Sequence, residues 1–255
     1  MMLLKVNNIN KHYNEKHVLK NVSFEIQKGE IYGLVGESGC GKSTTAKVLI
    51  GLTDKDNGEI IFNNKTMCQK GARTSKKIQM VFQDPNSSLN PMKNIKWILE
   101  EPFKLHKIKD KKIISNKILE MLDMANLSSD VLKKYPYEMS GGQKQKIAII
   151  LALLSNPTLL IADEAVSSLD LSGQASILNF FKKLQEELKL SYLFISHDLR
   201  VVYHMCDRIG VMRHGEIVEE GTPEEIYSNP KHDYTKALLR ALPSSPEFMK
   251  ELKNI

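Results

Sequence analysis

Residues 31–50 read IYGLVGESGCGKSTTAKVLI. A short apolar run, Ile31 to Val35, gives way to Gly36-Glu37-Ser38-Gly39-Cys40-Gly41-Lys42-Ser43 and then to a helix. The octet satisfies G-x-x-x-x-G-K-[ST] in full, after a strand and before a helix, which is the context the pattern requires. Glycines let backbone N–H groups turn inward around a phosphate chain, and the helix N-terminus adds partial positive charge. Lys42 can reach terminal phosphates, and the Ser43 hydroxyl can ligate Mg²⁺. The structural alternative is a glycine-rich strand–helix turn followed by an incidental Lys-Ser. The complete match favours a nucleoside triphosphate site.

Around this stretch the chain falls into three zones. Up to about residue 80, short apolar runs (LLKVNNI, VSFEI, EIYGLVG, GEIIF, KIQMVF) alternate with turn residues and predict strands. From about 94 to 154 the pattern is helical, in NIKWILEEPFKLHKI, KKIISNKILEMLDMA and QKQKIAIILALL. Strands and helices then alternate: TLLIAD, a helix near 172–189, SYLFIS, a short helix near 198–204, and DRIGVM. In the first of those helices Ile177, Phe181, Leu184 and Leu188 form one apolar stripe. Such alternation implies a parallel sheet covered by helices. The helical middle reads as a subdomain inserted between two parts of that sheet.

TLLIAD ends in Asp163, and Glu164 follows. A phosphate loop needs a metal carboxylate at the end of a neighbouring strand, and Asp163 is placed to hold Mg²⁺ directly or through water. Glu164 could reach a water in line with the terminal phosphate and act as general base. Alone, an acidic pair before a helix is more simply a favourable charge at the helix dipole. With Lys42 and Ser43 in the same chain, the catalytic reading is preferred.

The bulk composition sets outer bounds. The 255 residues carry a formal charge of +6, with 42% apolar and 26% charged residues, ordinary for a soluble globular chain. A modestly basic surface suits nucleotides, nucleic acid or an anionic membrane face, though scattered lysines explain it equally well. Cys40, Cys68 and Cys206 are too few and too far apart for a disulfide framework or metal cluster and read as reduced thiols. The longest apolar run, Ile147–Leu154, is far shorter than the roughly 18 residues of a membrane span. The N-terminal stretch has no signal-peptide pattern. A soluble intracellular chain is expected, one that can still sit on a membrane protein.

The family is decided elsewhere. Residues 139–146, MSGGQKQK, resemble the LSGGQ signature of ABC-type ATPases, and their spacing to the acidic strand is similar too. SGGQ opening a helix makes sense as a second anion cradle, with a Ser140 hydroxyl and close backbone approach at Gly141 and Gly142. A plain helix N-cap is the simpler reading of the tetrapeptide alone. Gln83 in VFQD resembles the family's loop glutamine, which senses Mg²⁺ and the attacking water. Ser168-Leu169-Asp170 resembles the loop that contacts the opposite subunit, and His197 in FISHD the switch histidine at the terminal phosphate. Tyr13 matches the aromatic position on which adenine stacks.

The resemblance covers about residues 3–240. It implies an α/β, P-loop ABC-type ATPase domain over 1–240, with a mixed-sheet, RecA-like core at about 1–90 and 156–225. A helical subdomain would occupy about 91–155 and a short tail element 226–255. ATP and Mg²⁺ would be the cofactors. Gly36, Glu37, Ser38, Gly39, Cys40, Gly41, Lys42, Ser43 and Thr44 would hold ATP with Tyr13, and Ser43, Gln83 and Asp163 would hold the ion. Glu164, His197 and Gln83 would be catalytic. Two such units pair head to tail in this family, so Ser140, Gly141, Gly142 and Gln143 would serve the partner's nucleotide.

FQDPNSSLNP, residues 82–91, looks like the loop of ATPases from peptide and nickel importers. YSNPKHDYTKALLRALP, residues 227–243, resembles their tail element, with Asp233 where proline is usual. That group implies two membrane-spanning permease subunits, a second non-identical ATPase, an extracytoplasmic binding protein and a peripheral place on the cytoplasmic face of the membrane. No nucleic acid partner is expected. This chain looks more like the second of the two ATPases. Its short tail, with no cysteine after Cys206, implies no iron–sulfur cluster and tilts the cargo from oligopeptide toward nickel or a metal chelate. Ala165 stands where proline is common, and lysines follow SGGQ where arginines are common, keeping charge but losing planar bidentate geometry. His106, His204, His214 and His232 fit no metal-ligand spacing. An exporter ATPase and a soluble ABC ATPase remain the alternatives. The former would lack the 82–91 loop and the tail. The latter normally carries two cassettes or a long coiled-coil insertion.

Overall fold

The computed structural model describes residues 1–67 and 76–241. Cys68 and the end of the tail element beyond residue 241 lie outside the described residues. The chain divides into two compact units, residues 1–75 with 191–255, and residues 76–190. Elements are numbered along the chain.

The first unit holds β1 (Met2–Tyr13), β2 (Lys16–Gln27), β3 (Ile31–Val35), α1 (Lys42–Leu49), β4 (Asn57–Phe62) and β5 (Lys65–Thr66). It resumes with β8 (Ser191–Ser196), α6 (Leu199–Met205), β9 (Arg208–Arg213), β10 (Glu216–Gly221), α7 (Pro223–Ser228) and α8 (Asp233–Arg240). β3 lies between β8 and β9, parallel to both, and β10 closes the edge antiparallel to β9. Every residue of β3 and β8 is buried. Between the buried serines Ser191 and Ser196 of β8, and along β3, the spelling is apolar, because a parallel strand covered on both faces has no polar side to show. A separate antiparallel sheet runs β2-β1-β4-β5. Its long β1–β2 pair slips register at several points, and Asn8 and Asn21 adopt positive φ beside those slips. Asparagine tolerates that conformation better than most residues. Arg208 ties β9 to the chain before β3 by an ion pair with Glu30 at 3.1 Å.

The second unit holds β6 (Ile78–Val81), α2 (Ile95–Leu105), α3 (Lys111–Met124), α4 (Gly141–Leu153), β7 (Leu159–Asp163) and α5 (Leu171–Leu188). β6 and β7 pair in parallel from Ile78–Leu159 to Val81–Ala162. Side-chain caps start the helices: Asn94 accepts from Trp97 N–H at 2.9 Å, and Asp110 from Lys112 N–H at 2.8 Å. α4 packs against β6, α2 and α5. It buries residues all round, from Gln145 through Ile147, Ile149 and Ile150 to Leu153, as a core helix must. On α5 the buried set is Ile177, Phe180, Phe181 and Leu184, while Leu188 is exposed. Leu188 is the last helical residue before left-handed Lys189, so the stripe's end has passed beyond its packing surface.

The α/β architecture with a mixed sheet and a helical middle is the expected one. Among the described residues no helix is long and apolar enough to cross a membrane.

Candidate nucleotide site

In the first unit the loop from Gly36 to Ser43 leaves buried β3 and enters α1. Gly36 has φ of +151°, and a Cβ there would lie 2.1 Å from the Met212 carbonyl oxygen. Gly41 has φ of +120°, with the Met212 and Leu19 side chains at 2.7 and 2.9 Å from the place of a Cβ. Any larger residue at either point would both strain the backbone and collide. Gly41 is also the N-cap of α1 and caps it with no side chain. A helix start with no side-chain cap is the kind of terminus that suits a phosphate.

Lys42 is buried, and its Nζ donates to the carbonyl oxygens of Gly36 at 2.7 Å and Glu37 at 2.9 Å. The ammonium thus lies folded along its own loop. Burial pushes the Cys40 thiol up, against the opposing pull of Lys42. Cys40 is a buried packing residue of the loop rather than a reactive thiol. Ser43 and Thr44 stand in the first turn of α1. From the β9–β10 turn, Gly215 N–H donates to the Cys40 carbonyl at 2.9 Å. Glu37 N–H donates to the Tyr234 hydroxyl at 3.0 Å, a contact from α8 that nothing in the sequence signals.

Two further residues of the first unit belong to the expected set. Tyr13 ends β1 and is 44% exposed, its hydroxyl donating to Thr53 Oγ1 at 3.3 Å and Lys11 Nζ 5.4 Å from the ring centre. An open aromatic face beside a cation suits a purine. His197 is exposed where β8 ends. The next residue, Asp198, caps α6 and pairs with Arg200 at 2.7 Å. Burial raises the Asp198 carboxyl, but hydrogen bonds from Arg200 outweigh it and hold the group below its usual range.

In the second unit Asp163 is buried at the carboxyl end of β7. Glu164 follows with φ of +49°. A left-handed non-glycine residue at a strand end is a strained geometry of a kind that clusters at functional sites. Ser168 Oγ donates to the Gln83 carbonyl at 3.4 Å, so the loop after β7 touches the loop after β6. Asp170 caps α5, accepting from Gly173 N–H at 2.7 Å. Ser140 caps α4 through a reciprocal box: Ser140 Oγ accepts from Gln143 N–H at 3.3 Å, and Gln143 Oε1 accepts from Ser140 N–H at 3.2 Å. The cap that serves as the simpler reading of SGGQ is present within the chain.

Residues beyond the motifs join these loops. Lys144 Nζ donates to Asn86 Oδ1 at 3.0 Å, and buried Gln145 reaches the Phe82 carbonyl at 3.4 Å. The helix opened by SGGQ is thereby bonded on both sides of Gln83. The loop is shaped by Asp84, whose carboxylate accepts from Asn86 N–H at 2.9 Å and starts a short 3-10 turn, Pro85–Ser87. No cluster of three or more histidine, cysteine or acidic residues able to hold a metal is found among the described residues.

Comparison with known proteins gives the family. A family model described as ABC transporter matches residues 19–167. The oligopeptide transport ATP-binding protein OppF of Lactococcus lactis subsp. lactis (strain IL1403) is 47% identical over 227 residues, 88% of this chain and 71% of that protein. The dipeptide transport ATP-binding protein DppF of Haemophilus influenzae is 44% identical over 238 residues, 91% of this chain and 73% of that one. Among solved structures, cbiO1 from Clostridium perfringens, part of the ABC transporter complex cbiONQ, superposes with a TM-score of 0.80. It is 26% identical and covers 100% of this chain and 99% of its own. The family match takes in both the phosphate loop and the acidic strand end, and the relatives extend it over nearly all the rest: the chain belongs to the ABC transporter family.

Proposed function

We propose that this ATP-hydrolysing ABC ATPase drives the import of short peptides as one subunit of a larger assembly. The observation that carries the reading is the extent of likeness to peptide-transport relatives. OppF of Bacillus subtilis (strain 168), an oligopeptide transport ATP-binding protein, is 43% identical over 94% of this chain. The 82–91 loop resembles both peptide and nickel importers and the short tail tilts the reading toward nickel, but the relatives' peptide transport outweighs that tilt, and both segments are read as peptide-importer features. Two permease subunits, a second ATPase of different sequence and an external binding protein complete the assembly. The chain sits at the cytoplasmic face of the membrane.

Within the chain, ATP stacks its base on Tyr13 and lays its phosphates along Gly36 to Thr44. Lys42 turns from the Gly36 and Glu37 carbonyls to the terminal phosphates, exchanging two neutral acceptors for a charged one. Ser43, Gln83 and Asp163 offer only oxygen donors, and just one carboxylate. That set fits Mg²⁺, a hard ion that keeps waters and substrate phosphate oxygens in its shell rather than filling a protein cage. When bound, the ion neutralises charge building on the phosphates. Glu164 takes the proton of the attacking water, and His197 donates to the terminal phosphate. Ser140 to Gln143 serve the partner's nucleotide, and Ser168 and Asp170 meet the partner.

Uptake in cells lacking this chain tests the proposal, complemented by wild type or by Glu164→Gln. A labelled tripeptide and radioactive nickel are offered separately. Peptide uptake restored by wild type alone is the expected result. Restoration of nickel uptake only would move the cargo to metal, and no change in either would remove the importer reading.

A further inference from the structure

The last described helix reaches the phosphate loop. Tyr234, on α8, is buried to 6% exposure, and its hydroxyl accepts from the backbone N–H of Glu37, the second residue of the loop, at 3.0 Å. The Arg213 guanidinium lies over its ring, 4.9 Å from the centre. The start of α8 is pinned in turn. Glu219 of β10 accepts from the N–H groups of Lys231 at 2.7 Å and His232 at 3.0 Å, and His232 Nδ1 accepts from Tyr234 N–H at 3.1 Å. A chain of bonds therefore runs from β10 through the head of α8 to the loop.

The hydroxyl matters separately from the ring. A phenylalanine would keep the packing and the contact with Arg213 but leave the Glu37 N–H without its acceptor. A phosphate cradle works by having its N–H groups converge before the anion arrives, and every backbone state the loop must give up on binding weakens affinity. Holding one limb of the loop by a buried tyrosine lowers that cost.

We propose that Tyr234 is a positioning residue for the phosphate loop, through which the α8 segment sets the chain's affinity for ATP. The inference rests on the reading of Gly36–Thr44 as the ATP cradle. Tyr234 touches the loop and not the reacting atoms, so it acts on binding rather than on the chemical step. Partners that lift α8 would loosen nucleotide without touching the cradle.

The test is calorimetric titration of the full-length chain with ATP, together with thermal unfolding without nucleotide and hydrogen exchange of the loop amides. For Tyr234→Phe the expected result is ATP binding about three- to tenfold weaker, the range set by one lost hydrogen bond. The Glu37 amide should exchange faster, and the unfolding temperature should stay within a few degrees. Glu219→Gln, which keeps the tyrosine but loosens its helix, should weaken ATP binding about twofold, and it stands in if Tyr234→Phe does not fold. Wild-type affinity in either folded variant overturns the inference and leaves the ATP reading intact. Failure of the wild-type chain to bind ATP overturns both.

Discussion

Gly36 and Ser140 each open a candidate phosphate cradle, and they are held in place by different means. Gly36 is fixed by steric fit, its α-carbon against the Met212 carbonyl with no room for a methyl group. Ser140 is fixed by hydrogen bonds it makes with Gln143 of its own helix. The same contrast holds for their surroundings. The first unit's loop is clasped by Met212, Gly215 and Tyr234, whereas in the second unit Ser140, Asp170 and Asp84 all use their side chains as caps. A cradle locked by packing is ready before its ligand comes. One held by caps must share or exchange bonds to act, which suits a surface that engages only when a partner arrives.

Substitutions at four positions can break or sharpen this contrast. The largest effect belongs to Glu164→Gln: ATP turnover should fall about 10²–10⁴-fold while ATP binding persists, as measured by steady-state phosphate release and titration. Turnover within threefold of wild type would strip Glu164 of its role as base. Gly36→Ala comes next. Backbone collision at positive φ should lower stability by about 3 kcal/mol and abolish ATP binding, read by urea unfolding and titration. A stable, binding-competent Gly36→Ala chain would show that the loop is not sterically locked.

Ser140→Ala should cost about 1 kcal/mol and Ser140→Gly only a few tenths, because glycine tolerates the cap position. On the proposal that Ser140 serves the partner's nucleotide, neither should change ATP affinity of the isolated chain. Equal stability of the alanine variant and wild type would mean the cap is not formed in solution. The smallest effect concerns acid. Hydrogen bonds from the His12 ring and N–H, with Lys11 nearby, hold the Asp56 carboxyl at about 2. Its contribution is fully present above the ordinary carboxylate range near pH 4 and is lost as pH falls through about 2. Asp56 is partly exposed, so solvent screens the pair. Asp56→Asn should slightly flatten the acid limb of the stability curve, and an unchanged limb would discount the pairing.

The sequence was legible where a physical signal is local. Buried parallel strands spell themselves as IYGLV, LLIAD and SYLFIS, and the glycine spacing of 36–43 carries its own steric logic. Parts of β1, β2 and β4 were legible as apolar runs, but their pairing into a separate antiparallel sheet was not, because asparagines and register slips interrupt the long β1–β2 pair. The ties of Lys144 to Asn86, Gln145 to Phe82 and Tyr234 to Glu37 were equally silent. Each joins common residue types across a long separation, and no spacing rule encodes that. Glu164 was singled out for its charge, but its left-handed backbone is visible only in three dimensions.

The first unit is assembled from both ends of the chain, with β3 waiting for β8 and β9 from beyond residue 190. During synthesis the strand that leads into the phosphate loop therefore emerges long before either neighbour. At roughly 5–20 residues per second the wait is on the order of ten to thirty seconds. The continuous second unit, complete by residue 190, can fold in that interval. A nascent chain stalled before β8 would expose an apolar strand with two open edges, a target for chaperones and proteases that the finished protein never presents.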